Sequence, residues 1–223
     1  MNVLFILAAD NQSCFYLLSL KKQEKTLLRL GPEQVLAGQK LGETYATFGA
    51  KQKEFCHWLA NALAGTIDHY VVLTEENLRA FLFAKQETIE VRNPQAFTYH
   101  GQAQETASNN DPKNCEEAFP KGPQSLDSAA FLRFITYQED APGVFGVFAR
   151  QEHVLRLIKE ALLTSANPVT ITKHFRHFIR LVTTDLNLGD CLRLVGKYQE
   201  TKGQKLRRLT LAEWTAPRSL TEA

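Results

Sequence analysis

The chain has no apolar run long enough to cross a bilayer. Val3 to Ala9 is apolar, but it covers only roughly a third of the ~20 residues a spanning helix needs and has neither the basic flank nor the cleavage signature of a leader. It reads as a buried strand, and membrane association is expected only through a segment outside this chain. Strong charge of either sign is also missing: 26 Lys and Arg against 24 Asp and Glu leave a net charge of +2. With no basic, aromatic-rich stripe, nucleic acid is not an expected partner. No G-x-S-x-G elbow, Walker lysine loop or G-x-G-x-x-G turn occurs, which removes the familiar hydrolase, NTPase and dinucleotide readings. The four cysteines, Cys14, Cys56, Cys115 and Cys191, lack C-x-x-C spacing and read as small, at least half-buried thiols, although an even count permits two disulfides. His174 and His177 stand about one helical turn apart, a spacing that suits a metal. They flank the apolar pair Phe175 and Phe178 without a nearby carboxylate, so the reading is of histidines beside a core.

What the chain does have is length and patterning for one sizeable core. Its 223 residues are 44% hydrophobic and 22% charged, which fits a single α/β domain over residues 1–215 with a frayed tail over 216–223. Val3 to Ala9, Cys14 to Leu20 and Thr26 to Leu30 read as an antiparallel meander whose continuous apolar runs call for cover on both faces. Lys51 to Ala64 places Phe55, Trp58, Leu59, Ala62 and Leu63 at helical spacing. Ile67 to Leu73 reads as a strand, Thr74 as the cap of a helix burying Leu78, Phe81 and Leu82, and Thr88 to Val91 as a further strand. Asn93 to Gln124 is polar, with turn residues and little periodicity, and predicts a long loop in which Glu116 and Glu117 are solvated acids rather than acid-base or metal groups. Helices are expected over Leu126 to Phe134, over Glu152 to Leu163, along the Phe175, Phe178, Ile179 and Val182 face, and from an Asn187 cap. A last strand is expected over Leu206 to Trp214.

Phe119-Pro120-Lys121-Gly122-Pro123-Gln124-Ser125-Leu126-Asp127-Ser128, continuing to Arg133-Phe134 and then to Arg150-Gln151, resembles the signature of the LytR-CpsA-Psr family of bacterial cell-envelope proteins. In that signature a glycine turn and Leu-Asp open a helix ending in Arg-Phe, and Arg-Gln opens the next helix. Ile67-Asp68-His69-Tyr70 and Thr184-Asp185-Leu186-Asn187 resemble two further family segments, so the likeness runs through nearly the whole chain. Val3 to Leu30 and Tyr45 to Gly49 echo the family's opening meander and Tyr-Gly-Gly segment loosely.

The resemblance implies a central mixed sheet with helices on both faces and an extracytoplasmic, envelope-associated location. It also implies a polyprenyl phosphate lipid in an apolar tunnel, with transfer of its linked glycopolymer to peptidoglycan. Such chemistry needs arginines on a pyrophosphate, a carboxylate for Mg2+ and a dry slot for the tail. Arg133 and Arg150 match two family arginines and are the expected catalytic, phosphate-binding pair, with Gln151 and Lys121 beside them. Against this stands a plainer reading, in which an arginine at a helix end pairs with a carboxylate or a terminal carbonyl.

This chain departs from the pattern at charged positions. Asn11-Gln12-Ser13 stands where the family carries an Arg and an Asp, and Gly31-Pro32-Glu33 replaces Pro-Arg-Asp. Asp10 and Glu33 are therefore the acids left for a magnesium ion. Ile135, Val144 and Val147 stand where an Arg, an acid and an Arg are usual. Each loss removes a charge-assisted hydrogen bond, so a lipid-binding or regulatory module with impaired catalysis is the alternative to retained transfer.

Overall fold

In a computed structural model of the chain, residues 1–9, 12–22, 24–101, 115–137, 144–163 and 167–215 are described. The elements in chain order are β1 (Asn2–Leu7), β2 (Cys14–Lys21), β3 (Glu24–Leu30), β4 (Val35–Leu36), β5 (Gln39–Lys40), α1 (Leu41–Phe48), α2 (Gln52–Ala62), β6 (His69–Leu73), α3 (Glu75–Leu82), β7 (Thr88–Asn93), β8 (Phe97–Gly101), β9 (Cys115–Phe119), β10 (Gly122–Asp127), α4 (Ser128–Thr136), α5 (Val144–Leu162), α6 (Pro168–Leu181), β11 (Thr183–Thr184), α7 (Leu188–Glu200), β12 (Arg207–Leu209) and α8 (Leu211–Thr215). They form two compact units, Met1–Asn77 with Thr164–Ala223, and Leu78–Leu163.

The first unit is built on a six-stranded sheet in the order β11-β6-β1-β2-β3-β12. β1, β2 and β3 make the expected antiparallel meander, and β6 and β12 join parallel to β1 and β3, so the sheet is mixed. Register decides which side chains share a face, because side chains alternate along a strand. Leu4 lies beside Leu17 and Tyr70, Ile6 beside Phe15 and Val72, and Leu28 beside Leu17 and Leu209. This face packs on Leu41 and Tyr45 of α1 and on Phe55 and Leu59 of α2. Phe55 is the hub: its ring centroid lies 5.5 Å from Phe15, 4.9 Å from Tyr45, 5.7 Å from Phe48 and 6.0 Å from Trp58. The opposite face, with Val3, Cys14, Tyr16 and Val71, is buried as well. α7 lies on that side, where Lys25 Nζ sits 4.7 Å over the Tyr198 ring. The continuous apolar runs thus meet the cover on both faces that they require.

Helix starts follow local chemistry. The Thr74 hydroxyl accepts from Asn77 N (3.2 Å) ahead of α3. Asn187 and Asp190 form a reciprocal capping box at the start of α7, Asn187 Oδ1 accepting from Asp190 N (3.0 Å) and Asp190 Oδ2 from Asn187 N (3.3 Å). The expected strand over Leu206 to Trp214 is shorter than its pattern. Strand pairing stops at Leu209, because Thr210 and Glu213 make another capping box, in which Glu213 Oε2 accepts from Thr210 N at 2.7 Å, and α8 begins. Cys14, Cys56 and Cys191 are free, buried thiols. Burial lifts each out of the nucleophilic range, Cys14 and Cys56 to about 12 and Cys191 to about 11.

The second unit corrects the expectation of a long loop over Asn93 to Gln124. β7 pairs antiparallel with β10, and β8 with β9, in registers that set Phe97 opposite Phe119 and Tyr99 opposite Glu117. Two runs of alternation, each only five residues long, carry these strands. One face of the β8–β9 ladder holds Phe97, Tyr99, Glu117 and Phe119, while Thr98, His100, Glu116 and Ala118 are exposed on the other. The predicted turn at Asn109 to Pro112 lies outside the described residues, as do Asp140 to Gly143 and the tail. Gly122 turns the chain between β9 and β10 at φ +115°, a backbone state that side-chain-bearing residues rarely adopt. The helix expected from Leu126 starts later: Leu126 still pairs with Ile89 in β10, and Asp127 caps α4 by accepting from Ala130 N at 2.8 Å. α5 begins well before the expected Glu152.

Candidate functional site

The arginines of the signature meet in the second unit, around the end of α4. Arg133, in its last turn, is about one-third exposed; its Nε donates to Glu117 Oε2 at 2.5 Å, and its guanidinium lies 6.0 Å from the Tyr99 ring centre. Glu117 is no solvated acid, because strand alternation turns it towards α4, whereas Glu116 on the other face of β9 is exposed beside His100. Arg133 thus offers a planar, one-third exposed cation over an aromatic ring, a setting suited to phosphate oxygens.

Arg150 lies deeper, with 2% of its surface exposed. Its guanidinium sits 4.5 Å from the Phe97 ring centre and 5.8 Å from that of Phe134, and Nη2 donates to the Tyr137 carbonyl. The next side chain, Gln151, donates from Nε2 to the Ile135 carbonyl at 3.0 Å. These carbonyls belong to the end of α4, where helix geometry leaves backbone acceptors without intrahelical donors. The Arg-Gln pair of α5 therefore caps α4, with a cation at the negative end of its dipole. Phe97 and Phe134 flank the Arg150 guanidinium, and Phe97 is itself stacked on Phe119 (4.9 Å) and Tyr137 (5.5 Å). Both contacts of the plainer reading, a carboxylate for Arg133 and a terminal carbonyl for Arg150, occur here.

The other expected residues are not drawn into this cluster. Lys121 is exposed in the β9–β10 turn, which Asn93 holds by donating to the Phe119 and Pro120 carbonyls at 2.9 and 3.1 Å. Glu33 belongs to the first unit, where its largely exposed carboxylate pairs with Lys40 Nζ at 2.7 Å. Asp10 lies outside the described residues. Among the described residues no group of three His, Cys, Asp or Glu side chains is placed to hold a metal ion. His174 and His177 join no such group.

The sequence profile of the LytR_cpsA_psr family matches residues 28–216, well over half of the chain. The chain belongs to the LytR-CpsA-Psr family. No curated protein matches it. Among solved structures it is similar to TagV of B. subtilis, with a TM-score of 0.68 and 19% identity over 94% of this chain and 83% of that one. A transcriptional regulator from Enterococcus faecalis gives 0.66 and 20% over 94% and 75%, and TagU of B. subtilis 0.57 and 18% over 94% and 83%. At such identities the likeness speaks for the fold, and it agrees with the mixed sheet described above. The family associates this LytR-CpsA-Psr protein with the cell envelope; no helix among the described residues is long and apolar enough to span a membrane.

Two further family segments of this LytR-CpsA-Psr protein explain themselves as one joint in the first unit. Asp185 Oδ1 accepts from Tyr70 N at 3.0 Å and the Thr184 hydroxyl donates to the Tyr70 carbonyl at 2.5 Å, so Thr-Asp pins the short strand β11 to β6 through side chains as well as backbone. Asp185 also lines a cleft of ≈ 390 Å³ with Lys53, His57, Asp68 and His69. Burial foremost, then the nearby Asp185 carboxylate, raises the Tyr70 phenol above its usual range. Asp185→Ala would leave the Tyr70 N–H without its acceptor, and is expected to cost about 1–3 kcal/mol, read as a lower midpoint in urea at unchanged slope. An unchanged midpoint would mean that water replaces the carboxylate without cost.

Proposed function

We propose that this protein binds a polyprenyl phosphate-class lipid at the extracytoplasmic face of the cell envelope, with Arg133 as its phosphate contact. Binding, rather than glycopolymer transfer to peptidoglycan, is the activity it retains. The reading rests on the partly exposed Arg133 guanidinium above Tyr99, with family membership supplying the class of ligand. The loss of transfer is favoured by a second observation. Ile135 and Val147, standing where the family carries arginines, are 2% and 0% exposed, so two clamp charges have been exchanged for core packing. A lipid tail is held by apolar area and does not depend on those charges.

The test is native mass spectrometry of the purified protein with added polyprenyl monophosphate, followed by a turnover assay with a polyprenyl pyrophosphate glycan and magnesium. The expected result is a retained lipid, no turnover, and affinity about tenfold weaker in Arg133→Ala, the loss of one charge-assisted contact. Equal binding by wild type and Arg133→Ala would remove Arg133 from the site. Magnesium-dependent turnover would instead establish that transfer survives the missing charges.

A further inference from the structure

Glu117 is set apart from the other acid of its strand by two features of the β8–β9 ladder. It stands directly opposite Tyr99, the ring over which the Arg133 guanidinium lies, and it is only 29% exposed, against 66% for Glu116. Its Oε2 already accepts the Arg133 Nε–H at 2.5 Å. Alternation along β9 fixes that direction, since Phe119, two residues on, is buried on the same face against Phe97 and Phe134. Any anion that takes Arg133 as partner must displace this carboxylate or lie beside its charge, and like charges at contact distance repel.

We infer that Glu117 sets the affinity of Arg133 for phosphate: it is an internal anion that occupies the guanidinium until a lipid phosphate displaces it. The inference rests on the Arg133 reading given under Proposed function. A phosphomonoester carries close to two charges and three strong acceptor oxygens near neutral pH, so it can replace a single carboxylate oxygen where a singly charged ligand gains little.

The experiment measures binding of polyprenyl monophosphate in detergent micelles to wild type, Glu117→Gln, Glu116→Gln and Arg133→Ala, each checked by thermal melting. Glu117→Gln keeps the side chain's shape and removes its charge, and is expected to bind about tenfold tighter, the scale of one charge-assisted hydrogen bond. Glu116→Gln makes the same change of net charge on the exposed face, and is expected to stay within about twofold of wild type. Binding by Glu117→Gln alone, with none by wild type, would keep Glu117 as the group that sets the affinity but would overturn the reading that wild type binds this lipid. If wild type binds, Arg133→Ala weakens it and Glu117→Gln matches wild type, the Arg133 reading stands and the Glu117 inference falls. Equal tightening by Glu116→Gln would also overturn it, as a general charge effect. Lipid refused by both wild type and Glu117→Gln would overturn both readings. Should Glu117→Gln not fold, Glu117→Asp, whose carboxylate is withdrawn by one methylene, is expected to move affinity in the same direction, and no change there would overturn the inference.

Discussion

Arg150→Ala is expected to lower stability by about 2–4 kcal/mol, more than any other change at the candidate site. Three contributions act together. A hydrogen bond from a charged donor to the Tyr137 carbonyl is worth about 1.5–3 kcal/mol. The desolvated guanidinium over Phe97 and Phe134 adds ~2 kcal/mol, and its removal also empties space between packed rings. Part of this sum is offset, because burying a cation is itself costly. At about 2–4 °C per kcal/mol for a chain of this size, the melting midpoint should fall by about 4–16 °C. Arg150→Met, which fills much of the same volume without charge, should recover part of the loss, and Arg150→Lys less, since it lacks the planar fork that lies on the rings. The Met variant also separates two roles. If it binds lipid phosphate as wild type does, Arg150 positions the end of α4 and with it Arg133; if binding is lost in a folded protein, Arg150 itself meets the phosphate.

The second large effect belongs to the first unit. Phe55→Ala is expected to cost about 3–5 kcal/mol, or a melting shift of about 6–20 °C. The side chain is fully buried and touches rings on three elements: Phe15 on β2, Tyr45 and Phe48 on α1, and Trp58 on its own helix. Edge-on, tilted and stacked aromatic pairs of this kind add about 0.5–1.5 kcal/mol each beyond area burial, and the rigid sheet beneath cannot collapse into the cavity. Phe55→Leu should return more than half of the loss. A small shift for Phe55→Ala would mean that Trp58, which is only partly buried, swings into the vacated space.

How far the sequence could be read depended on the length over which each pattern persists. The meander, α2, α6 and α7 were legible because apolar spacing recurs through two turns or more, or through a whole strand, and because Asn187 caps α7 as its type predicts. β8 and β9 were not: each offers one short stretch of alternation amid polar residues, too little to compete with the turn chemistry around it. The misreading of Glu117 follows directly, since an acid assigned to a loop is solvated, whereas the same acid on the inward face of a strand is delivered to a partner. The available signal was the matching of Phe97-x-Tyr99 with Glu117-x-Phe119, two inward pairs that complement each other only once the strands are paired. The end of the chain was misread for a different reason, as apolar spacing through Trp214 suits a strand while Thr210-x-x-Glu213 starts a helix.

The sequence by itself determined the family, the mixed α/β architecture and the positions of Arg133 and Arg150, because signature residues and long periodicities are local and survive without any knowledge of contacts. Only the tertiary structure decided what those arginines touch. A guanidinium is defined by its partners, and those partners, Glu117 from sixteen residues away and Tyr137 from thirteen, are brought to it by strand pairing and by the packing of α5 on the end of α4.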